Sequence, residues 1–282
     1  MSSHSNENLT KINVPAIRTA KERGEKLTCL TAYDYPTARV VDSAGIELIL
    51  VGDSAGNVVF GYDSTIPVTM EEMLFAVKAA RRGVKRALLI ADLPYGSYHV
   101  NADEAVRNAL RFVKEGGAEA VKLEGGRNRL DIIKRLVNEE IPVMGHIGLT
   151  PQSVNKLGGY RLQGKTAETA QQLIDDAQAL EDAGVFAIVL ELIPREIAQT
   201  ITEKLTISTV GIGAGAGCDI QVLVLHDLLG LNFNEKQPRF VRQYARLRET
   251  MTDAIQKWAT DVKNNDYPND KESFPLPENV KL

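Results

Sequence analysis

Ile46-Glu-Leu-Ile-Leu-Val-Gly52-Asp53-Ser54 is a short apolar run that stops at a glycine and then delivers a carboxylate. It reads as a strand buried along its length, with Asp53 at its carboxyl end. The same form returns four more times. Ala87-Leu-Leu-Ile-Ala91 runs into Asp92, Val121-Lys122-Leu123 into Glu124, Ile141 to Gly145 into His146, and Phe186-Ala-Ile-Val-Leu190 into Glu191. Core packing alone gives no reason for five strands to end this way.

The intervening sequence supplies helices. Val14 to Arg23 precedes Gly24, Pro36 opens a segment stopped by Gly45, and Thr69 with Glu71 and Glu72 begins one that ends at Gly83. A cap residue followed by acids suits a helix start, where the dipole favours negative charge. Asn101 or Asp103 caps a stretch with Val106, Leu110 and Val113 at helical spacing. Leu130 to Val137, Thr166 to Ala183, Pro194 to Lys204 and a long closing segment, Arg239 to Val262, are also expected to be helical. Further strands are expected at Lys26 to Thr31, Ile207 to Ile212 and Gln221 to Leu225. The count is eight strands, each followed by a helix or a segment of helix length. Strict alternation implies a parallel sheet, and eight units in one domain imply closure into a single (β/α)8 barrel. An open doubly wound sheet is the alternative. It would carry a Gly-rich turn after its first strand, where this chain has Tyr33-Asp-Tyr-Pro36. The expected organisation is a disordered segment over 1–10, the barrel with its closing helix over 11–265, and an extended tail over 266–282.

Composition fits a soluble enzyme-sized chain: 282 residues, 44% hydrophobic and 25% charged, with net charge −4. That mild acidity, with no basic stripe, argues against nucleic acid as partner. The polar start and the lack of any run near 18 apolar residues argue against export or membrane insertion. Cys29 and Cys218 have no metal-ligand spacing and read as reduced thiols, so a cytoplasmic location is expected.

In a barrel the carboxyl ends of the strands converge on one mouth, so Asp53, Asp92, Glu124, His146 and Glu191 should share a cavity. Two Asp and one Glu form an oxygen-only set that suits Mg²⁺; taken singly, each acid could equally be a loop cap or ion-pair partner. Lys122 stands two residues before Glu124, so both should point inward. An ammonium among carboxylates could neutralise a substrate carboxylate or a developing oxyanion, or simply balance charge. Glu191 follows five apolar residues, a setting that raises a carboxyl pKa and suits a general base. His146 could be a ligand, a substrate hydrogen-bond donor or a structural histidine. The loop from Gly148 to Lys165 is long enough to be functional. Gly213-Ala-Gly-Ala-Gly217 lacks the Lys-Ser/Thr of a phosphate loop, and close backbone approach to a ligand is the other reading. His226-Asp227 reads as loop structure.

Val51-Gly-Asp-Ser54, Gly61-Tyr-Asp-Ser-Thr65, Asp92-Leu-Pro94, Val121-Lys-Leu-Glu-Gly-Gly126, His146-Ile-Gly-Leu-Thr-Pro-Gln-Ser153, Gly158-Gly-Tyr160, Gln163-Gly164 and Gly211-Ile-Gly-Ala-Gly215 stand in this order along the chain. Together they resemble the ketopantoate hydroxymethyltransferase family over about residues 10 to 275. The resemblance implies a Mg²⁺-dependent barrel of the phosphoenolpyruvate/pyruvate superfamily. It also implies transfer of a one-carbon unit from 5,10-methylenetetrahydrofolate to 3-methyl-2-oxobutanoate, the first step towards pantothenate. By motif it implies Asp53, Asp92 and Glu124 at the metal, with Asp53, Ser54, Asp92, Lys122 and His146 on the substrate side and Glu191 as general base. It further implies a homo-oligomer, commonly a decamer. The choice among Mg, Mn and Co stays open. Ala55, Asn57 and Ile220 depart from the family's usual residues, none at a catalytic position.

Two other readings carry different expectations. A Mg²⁺-dependent carbon–carbon lyase or phosphonomutase of the same superfamily would need several Arg at the mouth for a phosphate-bearing substrate. The strand-end loops offer mainly Arg127, Arg161 and Arg195. A binding or scaffold barrel would have no reason to gather three acids, Lys122 and His146 at strand ends.

Overall fold

Eight parallel strands pair in sequence order and close on themselves: β1 (Leu27–Thr31), β2 (Leu48–Val51), β3 (Leu88–Asp92), β4 (Ala120–Lys122), β5 (Val143–Gly148), β6 (Ala187–Glu191), β7 (Ser208–Ile212) and β8 (Ile220–Leu223), with β8 returning to β1. This is a computed structural model that describes residues 10–233 and 237–281. The expected (β/α)8 barrel is therefore present. Apart from Thr10, the segment expected to be disordered lies outside the described residues.

The chain forms two compact units. One runs through Leu225 and includes Pro238–Val241; the other comprises His226–Gln237 and Arg242–Leu282. The barrel lies wholly in the first. Five of its helices start where side-chain caps satisfy free backbone N–H groups: Asn13, Asp34, Thr69, Asn101 and Thr166 each accept from the backbone three residues on. Thr69 and Glu72 cap reciprocally, so the helix Met70–Gly83 has both partners of a capping box.

The inward positions alternate along each strand. Cys29, Leu48, Leu50, Leu88, Ile90, Ala120, Met144, Ala187, Val189, Val210, Ile220 and Val222 form one buried cluster that fills the barrel. Two residues beyond Ile90, Ala120, Met144 and Val189, the same parity brings Asp92, Lys122, His146 and Glu191 to the inner face at the carboxyl ends. Asp53 breaks this parity with Leu48 and Leu50. It lies past the end of β2, where the chain turns into the helical segment Ala55–Val58.

Two expectations need correction. The closing helix does not begin at Arg239: it spans Leu247–Lys263, in the second unit. The Tyr244 N–H bonds to the Leu228 carbonyl at 2.8 Å rather than to the carbonyl four residues back, so the chain before Leu247 is not helical. His226 and Asp227 belong to a short helix, Leu225–Leu229, rather than to a loop. The long segment after β5 also carries structure, a 3₁₀ turn at Pro151–Ser153 and a helical turn at Val154–Leu157.

Candidate functional site

The strand ends put the expected residues into one polar chain. The backbone N–H of Asp53 donates to Asp92 Oδ2 at 3.3 Å, and Lys122 Nζ lies 2.7 Å from each Asp92 oxygen. Lys122 Nζ is also 3.9 Å from Glu124 Oε1. The same oxygen is 3.6 Å from His146 Nδ1, and His146 Nε2 is 3.2 Å from Glu191 Oε2. Glu124 follows β4, and a bridge from Gly125 N–H to the His146 carbonyl at 2.9 Å holds it beside β5. Ser54 is set apart from this chain, with its Oγ 2.9 Å from the Tyr33 hydroxyl.

Asp53, Asp92, Lys122, Glu124 and His146 are all buried. Glu191 is the more open end, with its side chain 15% exposed. Burial raises Asp92 to about 7 even though Lys122 pulls it down, and burial holds Glu124 well above the carboxylate range. Burial alone would lower Lys122, but Asp92, Glu124 and Asp53 outweigh it and hold the ammonium charged. His146 is held well below its ordinary value by burial and then by Lys122, so it is neutral. Burial raises Glu191 to about 7, with Lys122 acting against the shift. Leu192, next in sequence, has φ +45°, a strained conformation of the kind found at functional sites.

Three buried acids thus gather about a single ammonium, and Glu124 Oε1 is buried without a hydrogen bond. An oxygen-only set with one oxygen unfilled suits a hard cation, which would also favour the ionised forms. As they stand, no three His, Cys, Asp or Glu among the described residues converge as a ready ligand set. Lys122 holds both oxygens of Asp92, and a metal would take one of them.

Two residues of the site escaped the sequence reading. Gln152, 3% exposed, donates through Nε2 to Asp53 Oδ2 at 2.9 Å and through its backbone to Glu124 Oε2 at 3.0 Å. Tyr98, 1% exposed, donates to Gln152 Oε1 at 2.6 Å. Both lie in quoted or neighbouring loop motifs, but neither has a periodicity to mark it. Tyr160, in the loop after β5, is raised by burial and by Asp53, Glu191 and Glu124, which brings it within electrostatic reach of the same site.

The glycines after β7 serve packing. A Cβ at Gly215 would come 2.5 Å from Arg195 Cβ, and one at Gly217 3.2 Å from Gln199 Cβ. They let the loop lie against the helix Arg195–Lys204. Of the strand-end arginines, Arg127 pairs with Asp176 at 2.7 Å and Arg195 with Glu196 at 2.8 Å, which leaves little for a phosphate.

Comparison with known proteins agrees with this geometry. A family model described as ketopantoate hydroxymethyltransferase matches residues 11–270. A 3-methyl-2-oxobutanoate hydroxymethyltransferase from Koribacter versatilis is 54% identical over 96% of this chain and 92% of its own length. One from Carboxydothermus hydrogenoformans is 53% identical over 95% of this chain and 97% of its own. Among solved structures, phosphonopyruvate hydrolase superposes with TM-score 0.61 at 14% identity, covering 94% of this chain and 92% of that one. A 2,3-dimethylmalate lyase of the PEP mutase/isocitrate lyase superfamily gives 0.54 at 16%, covering 93% and 91%. These distant structures share the fold, whereas the close relatives share more than half their residues along nearly the whole length. With the match spanning every strand of the barrel, the chain belongs to the ketopantoate hydroxymethyltransferase family.

Proposed function

We propose that this chain transfers a hydroxymethyl group from 5,10-methylenetetrahydrofolate to 3-methyl-2-oxobutanoate, giving ketopantoate, at the cluster running from Asp53 to Glu191. The observation that carries the reading is the position of Glu191. It is a carboxyl raised to about 7, at the barrel mouth, 3.2 Å from a neutral His146 and beside a buried acid–lysine cluster. A base poised near neutrality is what removal of a proton next to a ketone requires.

Asp53, Asp92 and Glu124 would hold Mg²⁺, consistent with three hard-oxygen side chains balanced by one ammonium and with the unpartnered Glu124 Oε1. Bound there, the metal would supply Lewis-acid stabilisation of charge developing on the keto oxygen. The protein's own residues do the rest. Lys122 brings a fixed positive charge to the side where that oxygen and the substrate carboxylate bind. Ser54, steadied by Tyr33, offers a hydroxyl to the same carboxylate. Glu191 takes the C3 proton, and C3 forms its bond to the one-carbon unit as that carbon's bonds to the folate nitrogens break; water supplies the hydroxyl oxygen and tetrahydrofolate leaves. His146 stands as a neutral neighbour 3.2 Å from Glu191 Oε2, with both ring nitrogens buried and without a hydrogen bond. The burial of the cluster keeps water from weakening these charges.

Incubation with keto acid, 5,10-methylenetetrahydrofolate and Mg²⁺ tests the reading: ketopantoate should form and chelation should stop it. Cleavage of a phosphonate or a malate-type substrate without folate would favour the lyase reading instead. No helix among the described residues is long and apolar enough to cross a membrane, and we place the enzyme in the cytoplasm. A homo-oligomer, a decamer by family likeness, is also part of the proposal. Leu247–Lys263 buries none of its residues, and Met251, Ile255, Trp258 and Val262 stand exposed at helical spacing. A monomer in sedimentation would remove that part.

A further inference from the structure

Gln152 lies on no strand, yet it is the residue through which two of the proposed metal ligands are tied together. We propose that Gln152 is a positioning residue for the carboxylate site and that Tyr98 fixes the direction in which its amide acts. This rests on the reading of Asp53 and Glu124 as metal ligands.

A backbone group that cannot change role sets the polarity. The Leu93 carbonyl can only accept, and the end of the Gln152 side chain 3.0 Å from it must be the amide nitrogen. The Leu93 contact thus fixes the amide, and the 2.9 Å contact to Asp53 Oδ2 is a donation to the carboxylate. It also leaves Gln152 Oε1 to accept from Tyr98 at 2.6 Å, far shorter than the 3.4 Å from that hydroxyl to the Glu124 carbonyl, while the Tyr98 oxygen accepts from the Glu124 N–H at 3.2 Å. The Gln152 backbone N–H adds a second donation, to Glu124 Oε2 at 3.0 Å.

One residue therefore holds one oxygen of each of two acids that stand 71 positions apart, at 53 and 124. Its position follows from the Pro151–Ser153 turn, which folds the loop after β5 back over the strand ends. With Glu124 Oε2 tied to Gln152, it is Oε1 that is left towards Lys122 and His146 without a hydrogen bond. The pair thus chooses which oxygen each acid presents. Outer partners that orient ligands in this way are commonly as important to affinity as the ligands' own chemistry.

The test is a double-mutant cycle on the full-length chain with Tyr98→Phe, Gln152→Ala and both together. Mn²⁺ binding would be followed by electron paramagnetic resonance, with kcat/KM and thermal midpoints alongside. Tyr98→Phe keeps the buried ring, which also packs against His99 and lies under Arg129. Each single change should weaken Mn²⁺ binding by roughly 10- to 100-fold. The double variant should bind no worse than Gln152→Ala, because Tyr98 acts through Gln152. A Tyr98→Phe chain that melts earlier but binds Mn²⁺ within twofold of wild type would overturn the proposal, as would multiplicative losses in the double variant. Failure of the wild-type chain to take up Mn²⁺ would overturn the metal assignment instead. The same cycle read in kcat/KM would then decide the positioning role, with non-additivity again expected.

Discussion

Replacing Gly148 with Ala should damage both stability and catalysis without touching any reacting group. Gly148 ends β5 at φ +94°, and an added Cβ would lie 2.2 Å from the Glu191 carbonyl oxygen and 2.8 Å from Ile193 Cγ2. Carbon contacts settle near 3.5–4.0 Å, so the β6 backbone must retreat by more than about 1 Å. The left-handed conformation costs a non-glycine residue about 1–2 kcal/mol. The retreat would also break the Leu149 N–H to Glu191 carbonyl bond, now 2.8 Å, a further loss of about 1 kcal/mol. The sum is roughly 2–3 kcal/mol, read as a lower urea midpoint. Because Glu191 itself moves, kcat should fall by roughly 10²-fold, the scale of a 1 Å misplacement. Gly24→Ala is the control: φ is +68° there but nothing lies within 4 Å of the new Cβ, so only the conformational cost of about 1–2 kcal/mol and no activity should be lost. Gly148→Ala with a midpoint no lower than the control's and kcat within twofold of wild type would refute the geometry.

Three further outcomes follow from the site. Lys122→Met should lower kcat by more than it raises KM, because the charge serves a developing oxyanion. It should also destabilise the fold by about 3–5 kcal/mol, since Asp92 would be left buried and unpaired. Steady-state kinetics with thermal melts would check both, and unchanged kcat/KM would return Lys122 to charge balance. Asp53→Ala and Asp92→Ala should each lose Mg²⁺-dependent turnover and keto-acid affinity together; near-normal metal dependence in calorimetry and kinetics would contradict the ligand assignment. Only ionised Glu191 can accept a proton, and burial raises it from 4.5 to about 7. Thus kcat/KM should rise about tenfold per pH unit below 7 and level off above it. A limb centred near 4.5 would show that the site does not bury this carboxyl as described.

Most of the site was legible because strand periodicity is rigid. Once the apolar runs are read as buried strands, Asp92, Lys122, His146 and Glu191 fall on the inner face by parity with Ile90, Ala120, Met144 and Val189. Glu124, just past β4, keeps the parity of Ala120 and Lys122, whereas Asp53 breaks its strand's parity and only the recurrence of acids at strand ends marked it. Gln152 and Tyr98 could not be found this way. Their contacts join loops after β3 and β5 to acids after β2 and β4, and no local pattern encodes a contact across the barrel mouth. The late start of the Leu247–Lys263 helix was missed because apolar spacing continues backwards through Val241 and Tyr244. What stops the helix is a non-local bond, Tyr244 N–H to the Leu228 carbonyl, which no local spacing reveals.

The central claim is that Glu191 removes the C3 proton, and the most direct measurement is C3 exchange in D₂O with Mg²⁺ and 3-methyl-2-oxobutanoate alone. Glu191→Gln keeps the side-chain volume and leaves Asp53, Asp92 and Glu124 in place, so fold, metal and keto-acid binding should persist. Exchange should fall by roughly 10²-fold or more, the scale of a lost general base, and overall transfer should fall in step. Exchange at near wild-type rate with transfer abolished would contradict the claim: Glu191 would then serve the folate half of the reaction, and the base would lie elsewhere, with His146 next in line.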